Sequence, residues 1–97
     1  MTDLTKLETD RERGARAAAL LESDLLKEAF DGLEASYILA WRTSPATDTE
    51  GREKLFLAIN VIGKVRDHLS SVATNGHLAT EELRRFDEAR KDATAKA

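Results

Sequence analysis

The hydrophobic positions in the middle of the chain follow the repeat of two long amphipathic helices. The first is predicted over residues 24–43, where apolar residues recur at steps of three and four, as in a helix packed along a seam. Its seam residues are Leu26, Phe30, Leu33, Tyr37, Ala40 and Trp41. A second row beside them consists of Leu25, Ala29, Gly32, Ser36 and Leu39. With two such rows, we expect this helix to contact at least two neighbours.

The second long helix is predicted over residues 48–75. Thr47 and Glu50 have the spacing of a capping box at its start, and Asn75 with Gly76 has the composition of a helix stop. The predicted core residues of this helix are Leu55, Ala58, Ile59, Val61, Ile62, Val65, Leu69 and Val72. Ser23 caps the first long helix and Pro45 ends it. Because the connection is so short, we expect the two helices to form an antiparallel hairpin.

Two weaker helices are predicted at the ends of the chain. Residues 1–22 form an N-terminal helix whose contact face contains small residues such as Gly14, so it buries little apolar area and should be the least stable. Residues 81–93 form a short C-terminal helix that begins after Thr80. The predicted fold is therefore all-α: a single domain over residues 1–97, with a long antiparallel helical hairpin between two weaker helices.

Composition limits the kind of protein that this sequence can encode. The 97 residues are 41% hydrophobic and 34% charged, with one proline and five glycines, which suits helices. A core this small is marginal by itself, so self-association is expected. The net charge of −3 is spread evenly, unlike the basic surface of a dedicated DNA-binding domain. With no cysteine, no signal peptide and no membrane-length apolar run, we expect a cytoplasmic protein without membrane contact.

No combination of residues indicates a chemical reaction. His68 and His77 are the only histidines, and their spacing does not place two imidazoles on one helical face. Ser70 and Ser71 have no base at the spacing that a nucleophile requires. The sequence therefore predicts a non-enzymatic protein with no catalytic residue, no metal site and no cofactor.

Arginines in the N-terminal helix are candidates for contact with nucleic acid. Arg11, Arg13 and Arg16 lie close together there. Such a cluster would bind a phosphate backbone weakly, and it would matter only where many copies act together. Interleaved acidic residues favour the alternative, a solvated surface with ion pairs between neighbouring turns.

Three arginines lie in or near the hairpin. Arg66 falls inside the apolar face of the second long helix, so we expect it to pair with Asp31 or Glu34 of the facing helix. The candidate partners of the other two, Arg42 and Arg52, are Asp48 and Glu50.

Residues 20–72 resemble a family of small helical proteins found in tailed bacteriophages, prophages and gene-transfer-agent-like clusters. The resemblance covers about half the chain and consists of an AW-R-x-x-PA loop followed by TEGREKL. The positions that match this pattern are Trp41, Arg42, Pro45, Gly51, Arg52 and Leu55. The hairpin is similar to the oligomerisation core of a terminase small subunit, the ring-forming adaptor that passes viral DNA to the packaging motor. The resemblance thus implies a phage protein located in the cytoplasm of a bacterial host cell.

The chain departs from such adaptors at its N-terminus. The region before Ser23 is too short to hold a helix-turn-helix DNA-binding domain. If the resemblance extends to function, recognition of DNA is reduced, shared between subunits or delegated to a partner.

The apolar surface of the hairpin predicts an oligomeric, non-enzymatic protein, and the resemblance implies an adaptor of phage DNA packaging that scaffolds the packaging motor. The predicted contacts between subunits are Ile38, Leu39, Phe56 and Leu57. Leu83 and Phe86 are predicted to bind a protein partner, with the large terminase or another part of the motor as the candidate. The alternative is a small phage-derived regulator that binds and inhibits a host protein. A defined higher oligomer favours the adaptor, whereas a monomer or dimer favours the regulator.

Overall fold

The protein is all-α. The computed structural model describes residues 3–95, so Met1, Thr2, Lys96 and Ala97 of the predicted domain lie outside the described residues. The three helices are α1 (Leu4–Glu22), α2 (Asp24–Thr43) and α3 (Thr49–Ala95). No strand occurs between residues 3 and 95.

The ends of α2 are fixed by short-range hydrogen bonds. The Ser23 hydroxyl oxygen accepts a hydrogen bond from the Leu26 N–H at 3.3 Å, which is the predicted N-cap. At the other end, the Ser44 N–H donates to the carbonyl of Trp41 at 3.3 Å, and Pro45 follows. The range of α2 is therefore the predicted one.

Helix α3 starts with a different cap from the predicted one. The Gly51 N–H donates to Asp48 Oδ1 at 3.0 Å, so Asp48 caps the helix in place of Thr47. Glu50 does not close a capping box but forms an ion pair with Lys54 one turn later, at 3.3 Å. Because Asp48 is the cap, Thr49 is the first residue of the helix, one residue later than predicted.

Helix α3 does not stop at Asn75 and Gly76, so the predicted break and the separate helix over 81–93 are wrong. The helix continues to Ala95, and no described glycine has a positive φ. Thr80, the predicted cap, instead donates its hydroxyl to the carbonyl of Gly76 one turn earlier, at 2.9 Å. The glycine at position 76 serves packing and not a helix end, because the absence of a side chain there leaves room for α1.

The contacts divide the chain into two compact units. Within the described chain, one contains residues 3–19 and 69–95, which bring together most of α1 and the C-terminal part of α3. The other contains residues 20–68, which include α2 and the N-terminal part of α3. The expectation of a single domain stays a prediction.

In the first unit, small residues form the contact between α1 and α3. A Cβ placed on Gly76 would lie 2.5 Å from the Cα of Gly14, so the two backbones touch. Ala17 and Ala79 follow three residues after the two glycines, and each is only 3% exposed. This contact is close but removes little apolar area from water.

In the second unit, the core is thin. Ile62 is the only buried residue among residues 20–68, with 8% of its surface exposed. The predicted core residues Leu26, Phe30, Tyr37 and Ile59 are half-buried. Leu33, Ala40, Trp41, Val61 and Val65, which were also predicted to be core, are exposed. Two helices cover only one side of each other, so residues at the edges of the predicted faces remain in water.

Candidate assembly surface

Arg52 ties the start of α3 to the end of α2. Its Nη1 donates to the Trp41 carbonyl at 3.2 Å, to the Ser44 carbonyl at 3.3 Å and to Ser44 Oγ at 2.9 Å. The guanidinium also lies over the Trp41 ring, with Cζ 4.5 Å from the ring centre. The predicted partners Asp48 and Glu50 are engaged elsewhere, so that prediction is wrong for Arg52. The free carbonyls at a helix end compete well for a cation.

Arg66 forms an ion pair with Asp31, one of its two predicted partners. Its Nη2 lies 2.7 Å from Asp31 Oδ1. The guanidinium lies over the ring of Phe30, with 5.2 Å between Cζ and the ring centre. The Nε of Arg66 is buried and has no hydrogen-bond partner within residues 3–95. The side chain therefore covers apolar surface of α2 while its tip reaches a carboxylate.

Large apolar side chains are exposed along all three helices. They are Leu4, Leu20, Leu25, Leu33, Leu39, Trp41, Phe56, Leu57, Val61, Val65, Leu78 and Phe86. Buried apolar residues, by contrast, are confined within the described chain to Ala17, Ile62 and Ala79. Among the described residues, the exposed large apolar side chains therefore outnumber the buried apolar residues by twelve to three.

Three of the four predicted subunit contacts are exposed. Leu39 is 62% exposed, Phe56 56% and Leu57 53%, whereas Ile38 is half-buried. The predicted partner-binding residues behave similarly, since Phe86 is exposed and Leu83 is half-buried. Their accessibility is compatible with an interface, and their role stays a prediction.

The arginines of α1 are exposed, and one of them is paired. Arg16 forms an ion pair with Glu12 on the neighbouring turn, while Arg11 and Arg13 also lie at the surface. Farther along, Arg84 bonds Glu81 and Glu88, both at 2.9 Å. In both α1 and the C-terminal part of α3, these ion pairs between neighbouring turns are typical of a solvated helix surface.

The bond from Arg84 also affects a titrating group. Its hydrogen bond, with its positive charge as the second cause, lowers the pKa of Glu81 from the usual 4.5. Glu81 is half-buried beside Arg84, and the shift reflects this local pairing.

A surface depression surrounds the ion pair between Arg66 and Asp31. It lies in the second unit, and its lining residues are Leu20, Leu21, Leu26, Lys27, Phe30, Asp31 and Arg66. Its only carboxylate is already paired with its arginine. Within residues 3–95, no three metal-ligating side chains lie together.

Two further findings concern the chain as a whole. Among the described helices, none combines the length and apolar character needed to cross a membrane. A comparison with models of protein families gave no match, and neither curated proteins nor solved structures gave a significant one.

Proposed function

We propose that this protein is a non-enzymatic assembly protein whose helices complete their hydrophobic core with further copies of the same chain. The observation that carries the proposal is the contrast between one buried residue, Ile62, in the unit over 20–68 and the many exposed large apolar side chains around it. Ordering a residue costs about 1–2 kcal/mol in backbone entropy, so helices that bury so little need additional apolar contacts. Other copies of the chain can supply them.

The arrangement that we propose for α2 and the first part of α3 is an antiparallel hairpin. A short connection and two contacts support it. The connection between the helices is short, Arg52 bonds the end of α2, and Arg66 near position 68 pairs with Asp31 in the middle of α2. Contacts of this kind hold the two helices side by side and leave their outer faces for association.

The setting that we propose is phage DNA packaging, with a role like that of a terminase small subunit in the cytoplasm of a bacterial host. Support comes from the resemblance of the loop pattern to the phage family. Two positions of that pattern, Trp41 and Arg52, contact each other directly. In this role the protein scaffolds the packaging motor, and exposed Phe86 with Leu83 would bind a protein partner such as the large terminase.

Measuring the mass of the protein in solution tests the proposal. Size-exclusion chromatography with light scattering should give a defined oligomer, whereas a monomer at about 100 μM would refute it. Leu57→Glu should lower the mass while the circular dichroism of the helices is retained. Asn60→Glu introduces the same charge at an exposed polar position and should leave the mass unchanged. An unchanged mass in the Leu57 variant would remove that residue from the interface.

A further inference from the structure

Helix α2 has a second face that carries no charge and is exposed at every position. This α2 outer face consists of Leu25, Ala29, Gly32, Leu33, Ser36, Leu39, Ala40 and Thr43. At 100° per residue these positions fall within an arc of about 120°. All eight are exposed, with 76% of Leu25 and 62% of Leu39 accessible. The face runs the whole length of the helix.

The spacing on this face is that of a coiled-coil seam. Steps of four and three residues lead along Leu25, Ala29, Gly32, Ser36, Leu39 and Thr43. Such steps place one row of side chains toward a second helix. The hydroxyl of Thr43 is already satisfied, since it donates to the carbonyl of Leu39 at 2.9 Å. Its methyl group is therefore free to face a partner.

Gly32 has no reason within its own chain to be glycine. A Cβ there would meet nothing within 4 Å, and the residue sits in the middle of α2. A glycine inside a helix costs roughly 0.8–1 kcal/mol relative to alanine. At Gly14 and Gly76, by contrast, the glycines allow two backbones of the same chain to touch. A helix from outside the chain that crosses at Gly32 would explain this third glycine in the same way.

We propose that the partner on the α2 outer face is the same face of a second copy, running antiparallel, with Gly32 opposite Gly32 on the two-fold axis. This inference rests on the proposed function and specifies one of its interfaces. Leu25 and Leu39 lie seven residues to either side of Gly32, so each leucine meets the other leucine of the second copy. Small residues then fill the middle, where the backbones are closest, and leucines fill the ends.

Charge beside the seam favours the antiparallel direction. On one border of the α2 outer face, Asp24 and Glu28 lie near the start of the helix and Arg42 lies near its end. None of these three takes part in an ion pair within residues 3–95. The antiparallel arrangement brings Arg42 of each copy to the acidic end of the other, whereas a parallel one places these residues of the two copies on opposite sides of the seam, where they cannot pair. A second copy therefore matches the α2 outer face both in the sizes of its side chains and in the charges beside it.

Disulfide trapping tests the direction directly, because the chain contains no cysteine. Leu25→Cys and Leu39→Cys are purified separately and then mixed, one of them with a tag that changes its mobility. Under mild oxidation the mixture should give a disulfide-linked heterodimer, which a reductant separates into monomers. Each variant alone should give little dimer. Lys64→Cys, at an exposed position on α3, is the control and should not cross-link.

The outcomes separate this inference from the proposed function. A parent protein that is monomeric would refute both. An oligomeric parent without heterodimer trapping would refute the α2 contact alone, and dimers formed by each variant with itself would refute the antiparallel direction. Heterodimers from the mixed variants would support the whole arrangement.

A methyl group at Gly32 supplies a second test that does not depend on oxidation. Gly32→Ala should raise the dissociation constant of the dimer about tenfold in sedimentation equilibrium, because the methyl group keeps the two backbones apart. Gly63 is the matched control, since a Cβ there also meets nothing within 4 Å of its own chain. Gly63→Ala should leave the dissociation constant unchanged. An equal effect, or no effect, at the two glycines would overturn the crossing at Gly32.

Discussion

The backbones of Gly14 and Gly76 touch, and neither position has room for a Cβ. A Cβ on Gly14 would collide with the Cα of Gly76, and one on Gly76 would lie 2.8 Å from the carbonyl oxygen of Asp10. Both of these obstacles belong to the backbone, which cannot move aside as the end of a flexible side chain can. This contact sets the distance between α1 and the C-terminal part of α3.

Substitution of Gly76 should therefore destabilise the protein. Gly76→Ala adds one methyl group where there is no space, and we expect a loss of about 1–3 kcal/mol in the free energy of unfolding. Urea denaturation followed by circular dichroism measures it. Gly63→Ala introduces the same methyl group in open space and should stabilise by up to about 1 kcal/mol. Equal stability of the two variants would contradict the contact.

Ile62 should be the most sensitive apolar position in the unit over residues 20–68, because it alone is buried there. Ile62→Ala is expected to cost about 2–5 kcal/mol through lost contacts and the cavity that remains. Its neighbour Val61 is exposed, so Val61→Ala should change stability by no more than about 0.5 kcal/mol. Thermal denaturation of both variants decides whether the core lies on the Ile62 side of α3.

Arg52 should stabilise the connection between α2 and α3 through its three hydrogen bonds. Arg52→Ala leaves the carbonyls of Trp41 and Ser44 without this donor, and we expect a loss of about 1–3 kcal/mol. The fluorescence of Trp41, the single tryptophan, should change as the guanidinium leaves its ring. Lys54→Ala removes only an exposed ion pair and should change neither property appreciably. Fluorescence identical to the parent in the Arg52 variant would argue against the stacking.

The pair between Glu81 and Arg84 predicts a small loss of stability in acid. The pKa of Glu81 is lower in the folded chain than its usual 4.5, because Arg84 donates a hydrogen bond to it. Its contribution is therefore present above pH 4.5 and is lost as the pH falls through the folded-state pKa. Glu81→Gln should be less stable than the parent near about pH 7 and equal to it near about pH 2.

A matched variant isolates this effect from general acid denaturation. Glu53 is exposed and lies on α3, and within residues 3–95 it forms no ion pair. Glu53→Gln should therefore show no such dependence on pH. A stability difference for the Glu81 variant that stays constant from neutral to acidic pH would show that the ion pair is not its cause.

The sequence was most informative where structure depends on neighbouring residues. Ser23 as a cap and Pro45 after the end of α2 were predictable, because each acts on amides or carbonyls within a few positions. The pairing of Arg66 with Asp31 was among the predicted options, since a cation in an apolar stripe needs a nearby carboxylate.

The predictions from sequence were wrong where a residue contacts a part of the chain that is distant in sequence. Asn75 with Gly76 has the composition of a helix stop, but glycine also permits backbones to touch, and local pattern does not distinguish these uses. A signal was present: Gly14 with Ala17 and Gly76 with Ala79 have the same spacing. For Arg52, the pattern of side chains indicates carboxylate partners, whereas its actual acceptors include a backbone carbonyl near the end of α2, which no side-chain pattern reveals.

The small residues that hold α1 to α3 also determine where the chain should open first. Gly14 and Ala17 are the only buried residues of α1, so little apolar surface is exposed when the helix detaches. Amide protons of α1 should therefore exchange with deuterium sooner than those around Ile62. In native protein, trypsin should cleave after Arg11, Arg13 and Arg16 before it reaches the middle of α3.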